Sequence, residues 1–184
     1  KAGISQIHFE NRYKRKDGNY CHLAWNSFPV PEKGITYAIA HDITEQKKTE
    51  LELKEQANFI DKIIDSSAVS TWISDDKGTA IRANRACLEF FGATEEEVIG
   101  KYNIFKDSVL EKLGFIPDIQ KVFEKGEVAN LIIDYNFGEV DHVSVKNATH
   151  KIANSIFTPI LDINGKVSNV IVQTIDLSEI KRNE

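Results

Sequence analysis

No run of apolar residues in this sequence approaches the roughly 18–20 that a membrane-spanning helix needs, and no charged-then-apolar leader opens it. Neither a membrane span nor a secretory signal is expected in these 184 residues. Cysteine is scarce: Cys21 and Cys87 stand far apart, too few for a secreted disulfide scaffold, and read as free thiols of a reducing, cytoplasmic compartment. Excess positive charge is missing too. With 23 basic against 28 acidic residues the net charge is −5, which provides no basic field for nucleic acid. Methionine is absent and the first residue is Lys1, which fits an internal piece of a longer protein. What is present is apolar character for a core, 41% of residues, and length for one or two small domains.

One segment occurs twice. Asp42-Ile43-Thr44-Glu45-Gln46-Lys47 returns as Asp176-Leu177-Ser178-Glu179-Ile180-Lys181, each after a short apolar run. Upstream of each copy stand a proline (Pro29, Pro159) and then a glycine (Gly34, Gly165). Only the second copy has a whole domain's length before it. Residues 4–42 read as three strands. Ile7, Phe9 and Tyr13 recur at even spacing, Lys16-Asp17-Gly18-Asn19 is a turn, Leu23 and Trp25 alternate, and Ile35, Tyr37 and Ile39 alternate again. Pro29 and Pro31 are expected to break the second run. Three such strands leave one apolar face bare, so they need a cover.

Residues 44–66 read as a helix, with Thr44 suited to take an orphan amide at its start and Glu45 suited to the positive end of its dipole. Leu53, Ala57, Ile60 and Ile64 follow 4-3-4 spacing, a short seam for a second copy of the chain; a helix lying on its own domain remains the alternative. Farther on, 71–74 and 80–83 read as a hairpin around Asp75-Asp76-Lys77-Gly78. Asn84 caps a helix over 85–91 that Gly92 ends, and Thr94 with Glu97 forms a capping box. Residues 107–125 are helical in pattern with a fresh start at Pro117-Asp118. Strands are expected over 128–137, 143–150, 152–161 and 167–175, the middle two either separate or joined as one long bent strand. The order predicts an α+β fold, an antiparallel sheet with short helices on one face.

The ordered set Trp72-Ile73-Ser74-Asp75-Asp76-Lys77-Gly78, Asn84-Arg85-Ala86, Phe91-Gly92, Glu95 to Lys101, Pro159 to Asp162, Gly165-Lys166-Val167 and Asp176-Leu177-Ser178-Glu179 resembles a PAS domain. Phe9-Glu10, Arg12, Arg15 to Gly18, Pro29 and Asp42 to Glu45 resemble the back half of another. The implied organisation is the C-terminal part of one PAS domain over 1–45, a connecting amphipathic helix over 46–66 and a nearly complete second PAS domain over 67–184. The stretch 128–150 is longer than the family usually needs.

The resemblance implies the input module of a signal-transduction protein, most often a sensor histidine kinase of a two-component system. It would sense a small ligand in the PAS cavity and relay through the helix after Asp-Ile-Thr or Asp-Leu-Ser. The alternative is a ligand-free dimerisation and relay module. Asp42, Thr44, Asp176 and Ser178 are the candidates for the relay, and a homodimer and a downstream output domain are the implied partners. Trp72, Phe105, Phe115, Phe123 and Tyr135 are candidates to line a cavity, with Thr158 and Thr174 as polar tips.

Catalysis is not expected. The sequence has no Gly-rich phosphate loop, and His8, His22, His41, His142 and His150 lack metal-ligand spacing. Flavin-binding members carry Gly-x-Asn-Cys-Arg, whereas Cys87 stands in Asn-Arg-Ala-Cys. Their glutamine on the last strand is replaced by Thr174, with Gln173 facing the other way. Haem-binding members place a histidine where 116–125 has none. Neither cofactor is expected; an unidentified small metabolite is the remaining candidate.

Overall fold

The structure, a computed structural model, describes residues 7–178. The chain divides between Ile60 and Asp61 into two compact units.

In the first unit, β1 (Ile7–Lys14), β2 (Tyr20–Val30) and β3 (Ile35–Asp42) form an antiparallel sheet in that order. The β1–β2 turn closes as Asp17 accepts the Asn19 amide at 2.9 Å, with Gly18 at φ 90°. β2 runs through Pro29 instead of breaking there. Pro29 pairs with Thr36 of β3. Helix α1 (Thr44–Ser66) follows, and its first turn is tied to β1 by a 2.9 Å Lys47–Glu10 ion pair.

In the second unit, β4 (Ser70–Asp75) and β5 (Ala80–Ala83) form a hairpin. Then come α2 (Arg85–Phe91), α3 (Glu95–Val98), α4 (Ser108–Lys112) and α5 (Ile116–Lys125), followed by β6 (Ala129–Asn136), β7 (His150–Leu161) and β8 (Val167–Asp176). The antiparallel sheet has the order β5-β4-β8-β7-β6. This is the expected α+β arrangement, with helices against one sheet face. The local signals hold. Asn84 caps α2 and Gly92 ends it at φ 67°. Thr94 and Glu97 form the capping box of α3, and Pro117 sits in the first turn of α5. Pro159 pairs with Val170 of β8, two residues beyond Phe157, where the pairing with β6 ends, so its missing N–H forfeits no ladder bond on that side.

One expected strand is absent. Residues 143–149 form no strand; a 3-10 turn (Phe137–Glu139) and an irregular loop lead to β7. Their alternation arises because Val143, Val145 and Ala148 press on the core while Ser144, Lys146 and Asn147 are exposed. The loop's backbone is satisfied by helices rather than by a sheet: Thr149 N–H donates to Phe91 O at 3.1 Å and Thr149 Oγ1 to Phe90 O at 2.6 Å. A Cβ at Gly92 would stand 1.9 Å from Asn147 O, so this approach of loop to helix end requires glycine.

Candidate functional site

The period of two decides which side chains of the second unit's sheet face the helices. Trp72 on β4, Ile133 and Tyr135 on β6, Ser155 and Phe157 on β7, and Val172 and Thr174 on β8 all point inward. Between them and α2–α4 lies a cavity of about 60 Å³, room for roughly four or five water-sized groups. Most of the remaining space is taken by rings set edge-to-face: Trp72 on Tyr102 at 5.4 Å, Tyr102 on Phe137 at 5.7 Å and Phe91 on Tyr135 at 5.8 Å between centroids.

Of the seven residues expected at a cavity, Trp72, Tyr135 and Thr174 line it. Phe105 and Phe123 pack on each other instead, 4.8 Å apart, at the edge of the core, and Phe115 lies half-buried at the start of α5. Thr158 is exposed on the opposite face of β7, a correction: the pairing Ser155↔Thr174 turns residues 153, 155 and 157 inward, hence 158 outward. Ser155 supplies the polar tip on that strand, its Oγ 3.2 Å from Thr174 Oγ1. Cys87 also lines the cavity, and burial pushes its thiol up to about 12 against the opposing effect of Ser70, so it stays protonated.

Behind the cavity wall lies a cluster the sequence reading did not anticipate. Asp107, fully buried, caps α4 by accepting the amides of Val109 and Leu110 at 2.9 and 3.0 Å. Its other oxygen accepts the hydroxyls of Tyr102, at 2.7 Å, and Tyr135. The Asp-Ser-Val-Leu run carries a visible cap signal; the phenols come from 5 and 28 residues away. Burial, then neighbouring Tyr135 and Asp107, raises the Tyr102 phenol well above its ordinary 10.0; burial and then Asp107 do the same at Tyr135. Both phenols therefore keep their protons in the folded chain at a pH where the unfolded chain loses them. Their contribution is complete below pH 10 and is lost as pH rises through the folded values. Stability should fall above pH 10 by about 1.4 kcal/mol per pH unit for each phenol; urea unfolding between pH 9 and 11.5 measures it, with Tyr135→Phe halving the slope.

The two Asp-x-Thr/Ser segments form matching joints, one in each unit. Asp42 accepts the Thr44 amide at 3.0 Å, Thr44 Oγ1 accepts the His22 amide of β2 at 2.9 Å, and Ile43 N–H donates to His22 O at 2.8 Å. Asp176 accepts the Ser178 amide at 2.8 Å, Ser178 Oγ accepts the Ile152 amide of β7 at 3.1 Å, and Leu177 N–H donates to Ile152 O at 2.8 Å. Thr44 thus does not cap its own helix, as the sequence suggested. The aspartate two residues earlier is within reach of the amide, which leaves the hydroxyl for the adjacent strand. Each aspartate also pairs with a cation, Arg15 for Asp42 and Lys151 at 2.9 Å for Asp176. At Asp176 partial burial opposes ionisation, but the Ser178 and Lys151 hydrogen bonds outweigh it and hold the carboxyl down at about 2. Residues 179–181, expected to open the outgoing helix, lie outside the described residues.

Along α1 no described side chain is buried. Leu53, Ala57 and Ile60 are exposed and Ile64 is half-buried. Among the described residues no helix is long and apolar enough to cross a membrane, and no group of three or more His, Cys, Asp and Glu is arranged to hold a metal.

The second unit is thus a five-stranded antiparallel sheet with short helices on one face and an Asp-x-Ser joint at its exit. The sequence matches the PAS domain family over residues 1–45 and the PAS fold family over 58–107, more than half of the chain together. The chain belongs to the PAS domain family. Among curated proteins no sequence matches significantly. Among solved structures, a PAS domain of a Colwellia psychrerythraea protein is 19% identical over 69% of this chain and 98% of its own, with a TM-score of 0.51. The LOV protein of Rhodobacter sphaeroides is 16% identical over 71% of this chain and 72% of its own, at 0.56. An RNA-binding light-oxygen-voltage receptor is 8% identical over 97% and 78%, at 0.55. At these identities the likeness is one of fold.

Proposed function

We infer that this chain is the input module of a larger signal-transduction protein, of the kind found in cytoplasmic sensor histidine kinases. In this reading its second PAS domain takes a small ligand in the cavity and passes occupancy to the Asp176–Ser178 joint. One observation carries the reading: Thr174 lines the cavity and Asp176 lies two residues on, on the same face of the same strand, about 7 Å away along β8. A group that displaces Thr174 displaces the joint.

A filled cavity serves as the test. Ala153→Leu places a bulkier side chain among the lining residues, and hydrogen exchange at the Leu177 and Ser178 amides should accelerate several-fold while the α5 amides keep their protection. Unchanged exchange at the joint in a folded Ala153→Leu chain would refute the relay. The second reading, a ligand-free dimerisation and relay module, is favoured by the rings that leave only about 60 Å³. Native mass spectrometry separates the two, since a retained small molecule supports the first.

The flavin of light-sensing relatives does not fit this site. The free volume is well below the roughly 300 Å³ at which pockets for ligands of drug or cofactor size begin, and the thiol at the cavity is the protonated, buried Cys87.

Both readings include a homodimer through α1, with Leu53, Ala57, Ile60 and Ile64 at the contact. Apolar side chains at 4-3-4 spacing, exposed at Leu53, Ala57 and Ile60 and half-buried at Ile64, support it. In sedimentation, Ile60→Lys should shift the chain toward monomer by more than tenfold in dissociation constant, because the ammonium would be desolvated without a partner. Leu51→Lys, off the seam, should not. Equal sedimentation of the Ile60 variant and its parent would remove α1 from the interface.

A further inference from the structure

Apart from the two phenols, whose hydroxyls are taken up by Asp107, the cavity's polar groups lie on one side, and the sheet register shows why. Ser70 of β4 is paired with Thr174 of β8, which is paired with Ser155 of β7. All three are inward and buried, on adjacent strands about 4.8 Å apart. Three hydroxyls thus form a row across the sheet. Ser155 Oγ and Thr174 Oγ1 bond only each other among the described residues, which uses one of their two protons. Ser70 Oγ has no partner of normal geometry there, only the Cys87 thiol beside it. Buried hydroxyls with spare protons and lone pairs are costly to leave unmatched. Ser155 and Thr174 line the cavity, and Ser70 lies beyond them beside Cys87; the other lining is apolar or aromatic, and none of it is Lys, Arg, His, Asp or Glu. An anionic group entering here would find no compensating charge.

We propose that the cavity of the second unit binds a neutral molecule of about four or five non-hydrogen atoms, with an aliphatic body and one hydroxyl or carbonyl group that docks on the Ser155–Thr174 hydroxyl pair. This deepens the ligand-sensing reading above and rests on it. Each part of the class has its own cause. The volume sets the size, the absence of lining charge sets neutrality, and the aromatic walls accept the aliphatic body. The Ser155–Thr174 pair completes the hydrogen bonds of a single polar end.

The experiment is an NMR titration of the whole chain with three probes of similar size, 1-butanol, pentane and butyrate, followed at the Ser70, Ser155 and Thr174 amides. 1-Butanol should saturate at a concentration about tenfold lower than pentane, and butyrate should leave these amides unmoved. In Ser155→Ala/Thr174→Val the 1-butanol affinity should fall to that of pentane while pentane binds as before, which also shows that the variant is folded. If the double variant does not fold, Ser155→Ala alone must weaken 1-butanol severalfold, and no change overturns the proposal. Equal binding of 1-butanol and pentane, or binding of butyrate, overturns the hydroxyl-bearing neutral class while the cavity reading stands. If none of the three probes binds, both fail and the ligand-free relay remains.

Discussion

Asp107→Ala should lower the stability of the second unit by about 4 kcal/mol. The carboxyl group receives four hydrogen bonds, two from backbone amides of α4 and two from phenols. Removing it strands both phenols in the core, at roughly 1–2 kcal/mol each, and removes a helix cap worth about 1 kcal/mol. For a domain of this size that corresponds to a fall in melting temperature of roughly 10–20 °C. Asp107→Asn separates the contributions. Its remaining oxygen still caps Val109 and Leu110, and its amide can donate to the two phenol oxygens, so only the phenol protons lose an acceptor. About half the loss is expected, or less. Urea unfolding of the whole chain provides the comparison. An alanine variant within 1 kcal/mol of the parent would mean that the cluster is wet or open rather than buried.

The second large effect is expected at Asn84, which is fully buried. Its Oδ1 accepts the amides of Thr71 at 3.0 Å and Cys87 at 2.8 Å. Its Nδ2 donates to Val69 O at 2.9 Å and Ile64 O at 3.1 Å, with a longer contact to Ser67 O at 3.4 Å. One side chain therefore joins the end of α1, the start of β4 and the first turn of α2. Asn84→Ala should cost about 3 kcal/mol: the Thr71 amide is stranded and the cap of α2 is lost, while the Ile64 and Val69 carbonyls each lose a donor and keep one, the Ser67 amide and the Thr71 hydroxyl. Asn84→Asp retains both amide contacts but turns a second oxygen toward three carbonyls, and it should lose nearly as much. Hydrogen exchange distinguishes this hub from a simple cap. In both variants the last turn of α1 should lose protection together with the first turn of α2. Loss confined to α2 would reduce Asn84 to a cap alone.

Asn84 also shows how far the sequence could be read. Its place before Arg-Ala-Cys, with Gly92 eight residues on, announces a capped helix, because a cap is made within three residues of its own position. That the same amide reaches back to Ile64 and Val69 depends on where α1 ends in space. The repeated Asp-x-Thr/Ser segments were legible as joints for the same local reason. The partition of their bonds was not, since the hydroxyl's partner lies on a strand 22 or 26 residues away. The strand expected over 143–150 failed because alternation marks contact with something on one side, and a loop lying across helix ends alternates as a strand does.

Thr158 and Ser155 exchanged roles for a further reason. β7 carries polar residues on both faces, Asn154 and Thr158 on one and Ser155 on the other, so no pattern within the strand sets its parity. The pairing with β8 sets it.

By itself the sequence determined the elements that short-range bonds and periodicities encode: the turns, the helix caps, the antiparallel α+β class, the PAS family likeness and the twofold occurrence of its exit segment. Tertiary structure alone decided which face of β7 is inward, the volume of the cavity, the two phenols on Asp107 and the row Ser70–Thr174–Ser155. Each of these is a meeting of residues that are 5 to 104 positions apart in the chain, and their spacing in sequence carries no trace of it. Such meetings arise only when strands take one register and the helices close over them.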